Sequence, residues 1–313
     1  MGIIEHKSSF AGYAVEVWNT GPLNNPATTA YRLAEDLDDQ DESGWSEKLR
    51  AFFVQPNLDQ VRALISGAVW ENDEFDMTET LVEMLVMHQA RLPNLRAVFI
   101  GDATAEECEI SWIRHEDLSP LFLAFPQLEH FGVRGVEELR FGRLDHAGLK
   151  SFVLEAGGTP THLIDEIKAA HLPALVDFEL WTGHPNYGWE GTLEDLRPIL
   201  MGQTFPHLTR LGMCNSTITN EIVLTLVESP LYEQLEHLDL SRGTLNDEGA
   251  RALLNHPHTR DLRSLDVRHH FCSTVLQAEL TALKLHGVRV EIDKAVHRRS
   301  WGEGDRRYVA VGE

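Results

Sequence analysis

Short runs in which apolar and polar residues alternate recur along most of this chain, and each is followed by a turn and a helical run. The most regular example starts at Leu235, continues through Leu238 and Leu240, and passes into an apolar helical pattern from Asn246. Alternation with a period of two predicts a strand, and apolar positions three and four residues apart predict a helix. The pattern therefore predicts a unit of one strand, one turn and one helix.

The same strand pattern, L-x-x-L-x-L, aligns at nine places, and the starting positions lie 21 to 34 residues apart. These positions are Val61, Leu95, Leu128, Leu149, Leu175, Leu208, Leu235, Leu262 and Leu285. The first repeat is weak because Ser66 takes an inward position, and the last because Gly287 interrupts it. One such unit cannot cover its own apolar face, so the pattern predicts that successive units stack.

A proline stands two residues before the first leucine in four of the repeats, at Pro93, Pro126, Pro173 and Pro206. Proline fixes φ and ends the preceding helix, so each marks a turn from helix to strand. An ordinary doubly wound α/β domain is the alternative, since it also alternates strands and helices. Such a domain has no reason to repeat its turn chemistry, and the recurring proline therefore favours repeats.

Residues 235–254, LEHLDLSRGTLNDEGARALL, resemble one leucine-rich repeat of the ribonuclease-inhibitor-like subclass. The resemblance implies an α/β leucine-rich-repeat solenoid, a curved horseshoe with a parallel sheet on its concave face and helices on its convex face. Together with that stretch, the phrases GDATAEECEISWI and HLPALVDFELWTGHPNYGW also look like an uncharacterised family of bacterial leucine-rich-repeat proteins, over roughly residues 1–311. This second resemblance implies a bacterial source and no known activity.

The chain departs from the usual repeat at its ninth position, where asparagine or cysteine normally bonds to the turn. The residues found there are Ala103, Val136, Gly157, Gly183, Ser216, Gly243 and His270. The usual asparagine ladder is therefore missing, and the turns must satisfy their backbone groups in another way.

Three regions are expected: an N-terminal capping region at 1–60, about nine repeats at 61–292, and a C-terminal tail or cap strand at 293–313. The first holds strand patterns at 3–5, 13–18 and 31–35, an acidic loop at 35–42, and a helix over 44–54 that Ser43 could cap. In the last, 307–311 looks like a strand that could pair with the final repeat. Helices are predicted at 78–90, 117–125, 161–170, 193–201, 220–228, 246–255 and 274–285, with Thr192 and Thr274 as N-caps.

Charge and cysteine content narrow the class of partner and the compartment. The chain has 49 acidic and 27 basic residues, a net charge of −22. Such a surface disfavours nucleic acid and anionic membranes and favours a basic protein partner, unless it serves only solubility. The three cysteines, Cys108, Cys214 and Cys272, are few and far apart, which indicates buried thiols in a reducing, cytoplasmic location. No apolar run approaches membrane-spanning length.

Nothing in the sequence matches a known catalytic or cofactor motif, and no cofactor is expected. Residues 106–115 are either a binding insertion anchored by Trp112 or an irregular turn whose Cys108, Ile110 and Trp112 pack inward. Residues 181–190 form either a recognition loop or a loop folded onto its own aromatic rings. The histidines at 256, 258, 269 and 270 near Cys272 do not have zinc-ligand spacing, and no metal site is expected.

Strand alternation predicts which side chains occupy the centre of the concave face. They are Ile65, Phe99, Gly132, Val153, Glu179, Gly212, Asp239, Asp266 and Arg289. The early part is apolar and the later part acidic, and nine strands give a surface of protein-partner size.

We therefore predict a non-catalytic protein–protein interaction module that binds a partner through the concave face. The predicted partner-binding residues are Asp177, Glu179, Trp181, Tyr187, Trp189, His237, Asp239, Asp266 and His269. The alternative is an enzyme, or a regulator of a small GTPase, with its site on the turns at the C-terminal ends of the strands. The basic tail around Arg298 and Arg299 is expected to compete for the acidic part of the face.

Overall fold

The computed structural model describes residues 2–34, 44–67, 79–296 and 307–312, and their contacts divide them into two compact units. The first unit comprises Gly2–Glu155 and Ala170–Ala174. The second comprises Ala156–Ala169 and the chain from Leu175 onward. The predicted division at residues 60 and 292 follows the repeat pattern instead and stays a prediction.

The described residues of the first unit form seven strands whose order in the sheet follows the chain. These are β1 (Ser9–Phe10), β2 (Tyr13–Val17), β3 (Thr29–Leu33), β4 (Ala63–Ser66), β5 (Ala97–Ile100), β6 (His130–Arg134) and β7 (Ser151–Glu155). Its helices are α1 (Gly44–Phe53), α2 (Glu79–Met87) and α3 (Ser119–Ala124). The β1–β2 pair is antiparallel, and the pairs from β2 to β7 are parallel.

In the part of the second unit that the structure describes, five strands lie in chain order and pair in parallel. These are β8 (Asp177–Gly183), β9 (Arg210–Ser216), β10 (His237–Asp239), β11 (Ser264–Asp266) and β12 (Arg289–Glu291). Its helices are α4 (Thr161–Lys168), α5 (Leu193–Leu200), α6 (Thr219–Val227), α7 (Asp247–Asn255) and α8 (Thr274–Ala282). Thr192 forms the predicted capping box with Asp195, but α8 is preceded by Ser273 at its N-cap, so the choice of Thr274 was wrong by one residue.

The fold is the predicted leucine-rich-repeat solenoid, built from parallel strands in chain order with helices in the connections. Inward positions of neighbouring repeats lie side by side, as Leu211, Leu238 and Leu265 do on β9, β10 and β11. All three side chains are buried. The ribonuclease-inhibitor-like subclass stays a prediction. Among the described residues, no helix combines the length and the apolar character that crossing a bilayer requires.

The alignment of the last repeat was wrong by two residues. Asp266 of β11 lies beside Glu291 of β12, and Arg289 lies beside Ser264. The reason is local: a 3-10 helix over Leu283–His286 prolongs α8, and Gly287 then takes a left-handed backbone conformation with φ of 91°. Glu291, not Arg289, therefore continues the central outward row.

Other polar residues replace the missing asparagine ladder in the second unit. Asn220 at the start of α6 accepts hydrogen bonds from the backbone N–H groups of Asn246 and Gly249, both at 3.2 Å. Thr219 Oγ1 accepts from the backbone N–H of Thr244 at 3.0 Å. These side chains accept hydrogen bonds from backbone N–H groups in the turn and at the start of the helix of the following repeat. The asparagine or cysteine at the ninth position usually bonds to such turn groups.

One face of each sheet carries no helices, and we call it the helix-free face. In the first unit it is covered by the chain itself, because Phe10, Ala11, Tyr13 and Val15 pack against a buried apolar cluster. The members of that cluster are Ala30, Ala63, Ile65, Ala97 and Phe99. The apolar part of the predicted concave surface is therefore a second core, and it is unavailable to a partner.

A buried charged cluster lies beside this second core. Arg134 Nε donates to Glu155 at 2.7 Å, and Arg134 Nη1 forms an ion pair with Asp102 at 3.2 Å. Lys7 Nζ donates to the other Glu155 oxygen at 2.8 Å, and Arg32 Nε donates to Asp102 at 3.2 Å. Glu107 Oε1 lies 3.5 Å from Arg32 and adds a third carboxylate. The three cations are therefore matched by three carboxylates. The cluster anchors the N-terminal segment over the strand ends.

The predicted C-terminal strand is absent from the described part of the tail, since residues 307–312 join no strand of the sheet. They run instead along the turns that follow β9, β10 and β11, where Ala310 N–H donates to the Arg242 carbonyl at 2.8 Å. The acidic run at 35–42, the Ser43 cap and the arginines at 298, 299 and 306 lie outside the described residues.

Candidate protein-binding groove

The helix-free face of the second unit carries a shallow polar groove across five neighbouring strands. Its floor is formed by two rows of residues in register, and a cavity of about 90 Å³ lies within it. The charged and polar lining residues are Asp177, Glu179, Arg210, His237, Asp239, Ser264, Asp266, Arg289 and Glu291. We call this surface the acidic groove, because five carboxylates and two arginines leave a net charge of −3.

The central row of the acidic groove brings carboxylates from successive strands into line. Sheet pairing places Glu179 beside Gly212, Gly212 beside Asp239, and Asp239 beside Asp266. Glu291 follows on β12. Neighbouring strands are about 4.8 Å apart, so adjacent carboxylates repel one another unless a cation binds between or above them.

Arg268 already supplies one such cation at the edge of the row. Its Nε and Nη2 donate to the Asp266 carboxylate at 3.0 and 2.5 Å, so the guanidinium binds in a bidentate manner. Asp239 uses Oδ1 to accept from the Ser241 backbone N–H at 2.8 Å. Among the residues that the structure describes, no cation lies within ion-pair distance of Asp239. The row therefore holds one carboxylate paired with a guanidinium and one bonded locally to the backbone.

Gly212 leaves the middle of the central row without a side chain. A Cβ at this position would lie 2.8 Å from Glu179 Cγ, closer than packed atoms allow. The missing side chain gives the Glu179 side chain space above β9, and Glu179 Oε1 accepts from Trp181 Nε1 at 2.7 Å. The glycine therefore makes the groove deeper between the carboxylates of β8 and β10.

The outer row contributes mixed charge and one histidine. Arg210 Nε lies 3.8 Å from Asp177, and His237 Nδ1 is hydrogen-bonded to Ser264 Oγ at 2.7 Å. Burial lowers the pKa of His237, and the nearby Arg210 charge lowers it further. The imidazole therefore stays neutral at pH 7 and does not offset the acidic charge.

Five of the nine predicted site residues line the acidic groove: Asp177, Glu179, His237, Asp239 and Asp266. Trp181 and Trp189 do not offer contact area, because only 3% and 5% of their surfaces are exposed. The Arg242 guanidinium covers the Trp181 ring at 4.9 Å. For these two tryptophans the expected role in contact is corrected to one in packing, since each ring is already surrounded by its own unit.

The last two predicted residues, Tyr187 and His269, lie at the turns beyond the strand ends. His269 has a left-handed backbone with φ of 59°, and its ring contacts that of Tyr308 at 5.6 Å between centroids. Tyr187 lies against Gly312. The structure thus separates the nine predicted residues into a groove set, a buried pair and a pair beside the C-terminal segment.

The two loops that the sequence left open have different outcomes. In residues 106–115, Cys108 and Ile110 are buried, whereas Trp112 is 63% exposed. The inward-packing interpretation holds for the first two residues and is wrong for Trp112. In residues 181–190 both tryptophans pack inward. Burial, followed by the charges of Glu109 and Glu107, raises the pKa of the Cys108 thiol to about 12, so this cysteine is a poor nucleophile.

The predicted site omitted four residues that line the acidic groove: Arg210, Ser264, Arg289 and Glu291. Arg210 and Ser264 stand two positions before the central row, and alternation places them on the same face. They could have been predicted if every outward position of each strand had been considered, and not only the central one. Glu291 was missed because of the two-residue error in the last repeat. Within the described ranges, no group of three or more histidine, cysteine or carboxylate side chains is arranged to hold a metal ion.

Solved structures provide the comparisons with known proteins. The chain is similar to a crystal structure of a protein from Bacteroides fragilis, with 29% sequence identity and a TM-score of 0.74. That likeness covers 84% of this chain and 73% of the other. An internalin from Listeria monocytogenes matches with 12% identity and a TM-score of 0.36, over 86% of this chain and 73% of the internalin. No family model and no curated protein matches the sequence.

Proposed function

We propose that this chain is a non-catalytic protein-interaction module whose acidic groove binds a basic segment of a protein partner. Leucine-rich-repeat solenoids commonly bind proteins through the face away from their helices. In the first unit that face is filled by the N-terminal hairpin, which leaves the second unit as the exposed surface of this kind. A cytoplasmic location and a bacterial source belong to the same proposal.

The bidentate pair of Arg268 and Asp266 is the observation that carries the proposal. It supports the proposal because a planar guanidinium, the group best suited to a carboxylate, already binds one carboxylate of the row. Asp239 lies directly beside Asp266 in the same row and faces the same side. An arginine from a partner, bound at Asp239, would reproduce this pair one strand away and relieve the repulsion along the row.

The size and charge of the groove support a macromolecular ligand. A cavity of about 90 Å³ is too small to enclose a typical organic ligand, for which pockets of roughly 300–1,000 Å³ are usual. Its net charge of −3 repels anions, including nucleic acid phosphates. A flexible basic segment of a protein can follow the row of carboxylates across the strands without needing an enclosed pocket.

The direct test uses a labelled heptapeptide of alternating glycine and arginine and measures its binding by fluorescence anisotropy. The variant with Asp239→Lys and Asp266→Lys should bind about tenfold more weakly and with less dependence on salt. A matched variant, Glu228→Lys with Glu233→Lys, makes the same change of net charge at exposed positions away from the groove. Equal binding by the wild-type protein and the groove variant would contradict the proposal, as would an equal loss in the matched variant.

Copurification from an extract of the source organism then identifies the natural partner. A partner that binds through the acidic groove is retained by wild-type protein and by the matched variant, and is lost from the groove variant. The melting temperature of the matched variant should stay nearly that of the wild type, since surface substitutions away from special contacts usually change stability by less than about 0.5 kcal/mol. The groove variant also loses the Asp266–Arg268 pair and the Asp239–Ser241 hydrogen bond, so circular dichroism first establishes that it is folded at the temperature of the binding assay. Retention by the groove variant would place the interface elsewhere.

A further inference from the structure

The C-terminal segment 307–312 occupies a site that is separate from the acidic groove. The site is formed by the end of β9 and by the turns that follow β8, β10 and β11, and the backbone of its occupant lies outside the sheet and bends at Ala310. Val309 and Val311 are 7% and 4% exposed, whereas the residues between and beside them are half-buried. Alternate burial with a period of two is how an extended peptide lies in a groove.

Asn215 holds the segment by the backbone. Its Oδ1 accepts from the Val311 N–H at 3.0 Å, and its Nδ2 donates to the Val311 carbonyl at 2.6 Å. The carboxamide therefore pairs with one residue of the segment as a neighbouring strand would. The same Nδ2 donates to the Ala156 carbonyl at 3.2 Å, and the side chain is fully buried. Asn215 is in the left-handed region with φ of 49°, which asparagine tolerates better than most residues.

Side chains along the segment meet distinct surfaces. The Tyr308 ring packs edge-on against His269 and Phe271, each with 5.6 Å between ring centroids. At the other end, a Cβ on Gly312 would lie 2.3 Å from Tyr187 Cε2. The contacts therefore select an aromatic residue, then alternate β-branched residues, then glycine, and most of the hydrogen bonds are made to the peptide backbone.

We propose that this turn surface is a peptide-binding site for a segment of the pattern aromatic–Val–x–Val–Gly, and that residues 307–312 are its resident ligand. Backbone pairing supplies affinity that is independent of sequence, and the pockets for alternate side chains supply selectivity, as in other modes of extended-peptide recognition. A free peptide of the same pattern competes with the resident segment, whose covalent attachment gives it a high effective concentration. The site takes an apolar peptide, in contrast to the basic segment proposed for the acidic groove.

The experiment uses a chain that ends at residue 306 and a labelled peptide of residues 306–313, RRYVAVGE. The shortened chain should bind the peptide at least about tenfold more tightly than the full chain does, and its melting temperature should rise as peptide saturates it. Replacing both peptide valines by serine should abolish binding, and Asn215→Ala in the shortened chain should weaken it about tenfold. Asp239→Lys with Asp266→Lys should leave it unchanged, which separates this site from the acidic groove.

A second experiment tests the proposal with the full chain, in case the shortened chain does not fold. A protease recognition sequence is inserted between residues 300 and 301 of the full chain, and the folded protein is then cut. The released segment should stay with the body during gel filtration and leave when excess RRYVAVGE peptide is added. The proposal is overturned if the cut segment dissociates at once, if excess peptide fails to displace it, or if a folded shortened chain binds a scrambled peptide equally well.

Discussion

Trp181 Nε1 donates a 2.7 Å hydrogen bond to Glu179 Oε1, two residues earlier on the same strand and on the same face. The pair joins the packed end of β8 to the acidic groove, since Glu179 lines the groove and Trp181 is buried. The indole thereby helps to fix the position of the Glu179 carboxylate beside Gly212. Trp181 thus affects the groove through Glu179 and does not touch a ligand itself.

Truncation of Trp181 is expected to reduce stability strongly. Trp181→Ala removes a buried indole and should lower the free energy of unfolding by about 3–5 kcal/mol. Urea denaturation followed by circular dichroism measures this change. Trp112→Ala is the control, because that ring is 63% exposed and its loss should change the free energy by less than about 0.5 kcal/mol. Similar values for the two variants would show that the Trp181 ring is not packed as described.

Three leucines test the stacking of repeats. Leu211→Ala, Leu238→Ala and Leu265→Ala should each lower the free energy of unfolding by roughly 2–5 kcal/mol, because each side chain fills the space between the sheet and its helices. Chemical denaturation of the single variants provides the values. Leu123→Ala, at a position that is 81% exposed, serves as the comparison and should cost far less. Losses under about 0.5 kcal/mol at all three core positions would contradict the register.

Acid should weaken the first unit through Glu155. Burial alone would raise the pKa of this carboxyl, but the charges of Arg134 and Lys7 outweigh it and lower the pKa to about 2. The folded pKa lies below the ordinary value of 4.5, so the stabilising contribution is complete above pH 4.5 and is lost as pH falls toward 2. Urea titrations at pH 5, 4 and 3 should reveal a decline in the free energy of unfolding.

The variant Glu155→Gln isolates this effect. It leaves Arg134 and Lys7 without their shared carboxylate and should cost about 3–5 kcal/mol at pH 6, as breaking a buried ion pair usually does. The part of the acid decline that belongs to Glu155 should then disappear. Glu233→Gln, an exposed position, should follow the wild-type pH dependence. An unchanged decline in Glu155→Gln would assign the acid sensitivity to other groups.

The repeat architecture could be predicted from the sequence because one face of each strand must be apolar. Leu211, Leu238 and Leu265 lie at the predicted positions, since shifting any strand by one residue would turn its leucines toward solvent. The strand of the last repeat was predicted two residues out of register. Its pattern of apolar residues starts inside the 3-10 helix at Leu283–His286, so apolar spacing alone did not locate the strand. Only the hydrogen-bonded register with β11 corrects it.

The candidate site was less predictable because it depends on contacts between distant parts of the chain. Alternation correctly assigned Trp181 to the same face as Glu179, but burial of that ring depends on Arg242, which lies 61 positions later. Phe10 and Tyr13 cover the apolar half of the face, and the repeat pattern does not predict this contact because both residues lie outside the repeats. Likewise, the alternation of residues 307–311 predicted a strand that the structure does not contain, because Val311 pairs with the side chain of Asn215 and not with a strand of the sheet.

The shortness of the first and last strands has a consequence for the behaviour of the protein at high concentration. β1 has two residues and β12 has three, and β12 exposes Arg289 and Glu291 on either side of Val290. A parallel sheet whose outer strand is long and apolar can recruit strands from other molecules and grow into fibrils. Strands of two or three residues offer few unpaired backbone groups to another molecule. The charged side chains of β12 would also have to lose water if a second sheet packed against its edge. The repeats can therefore stack within one molecule while resisting the same stacking between molecules.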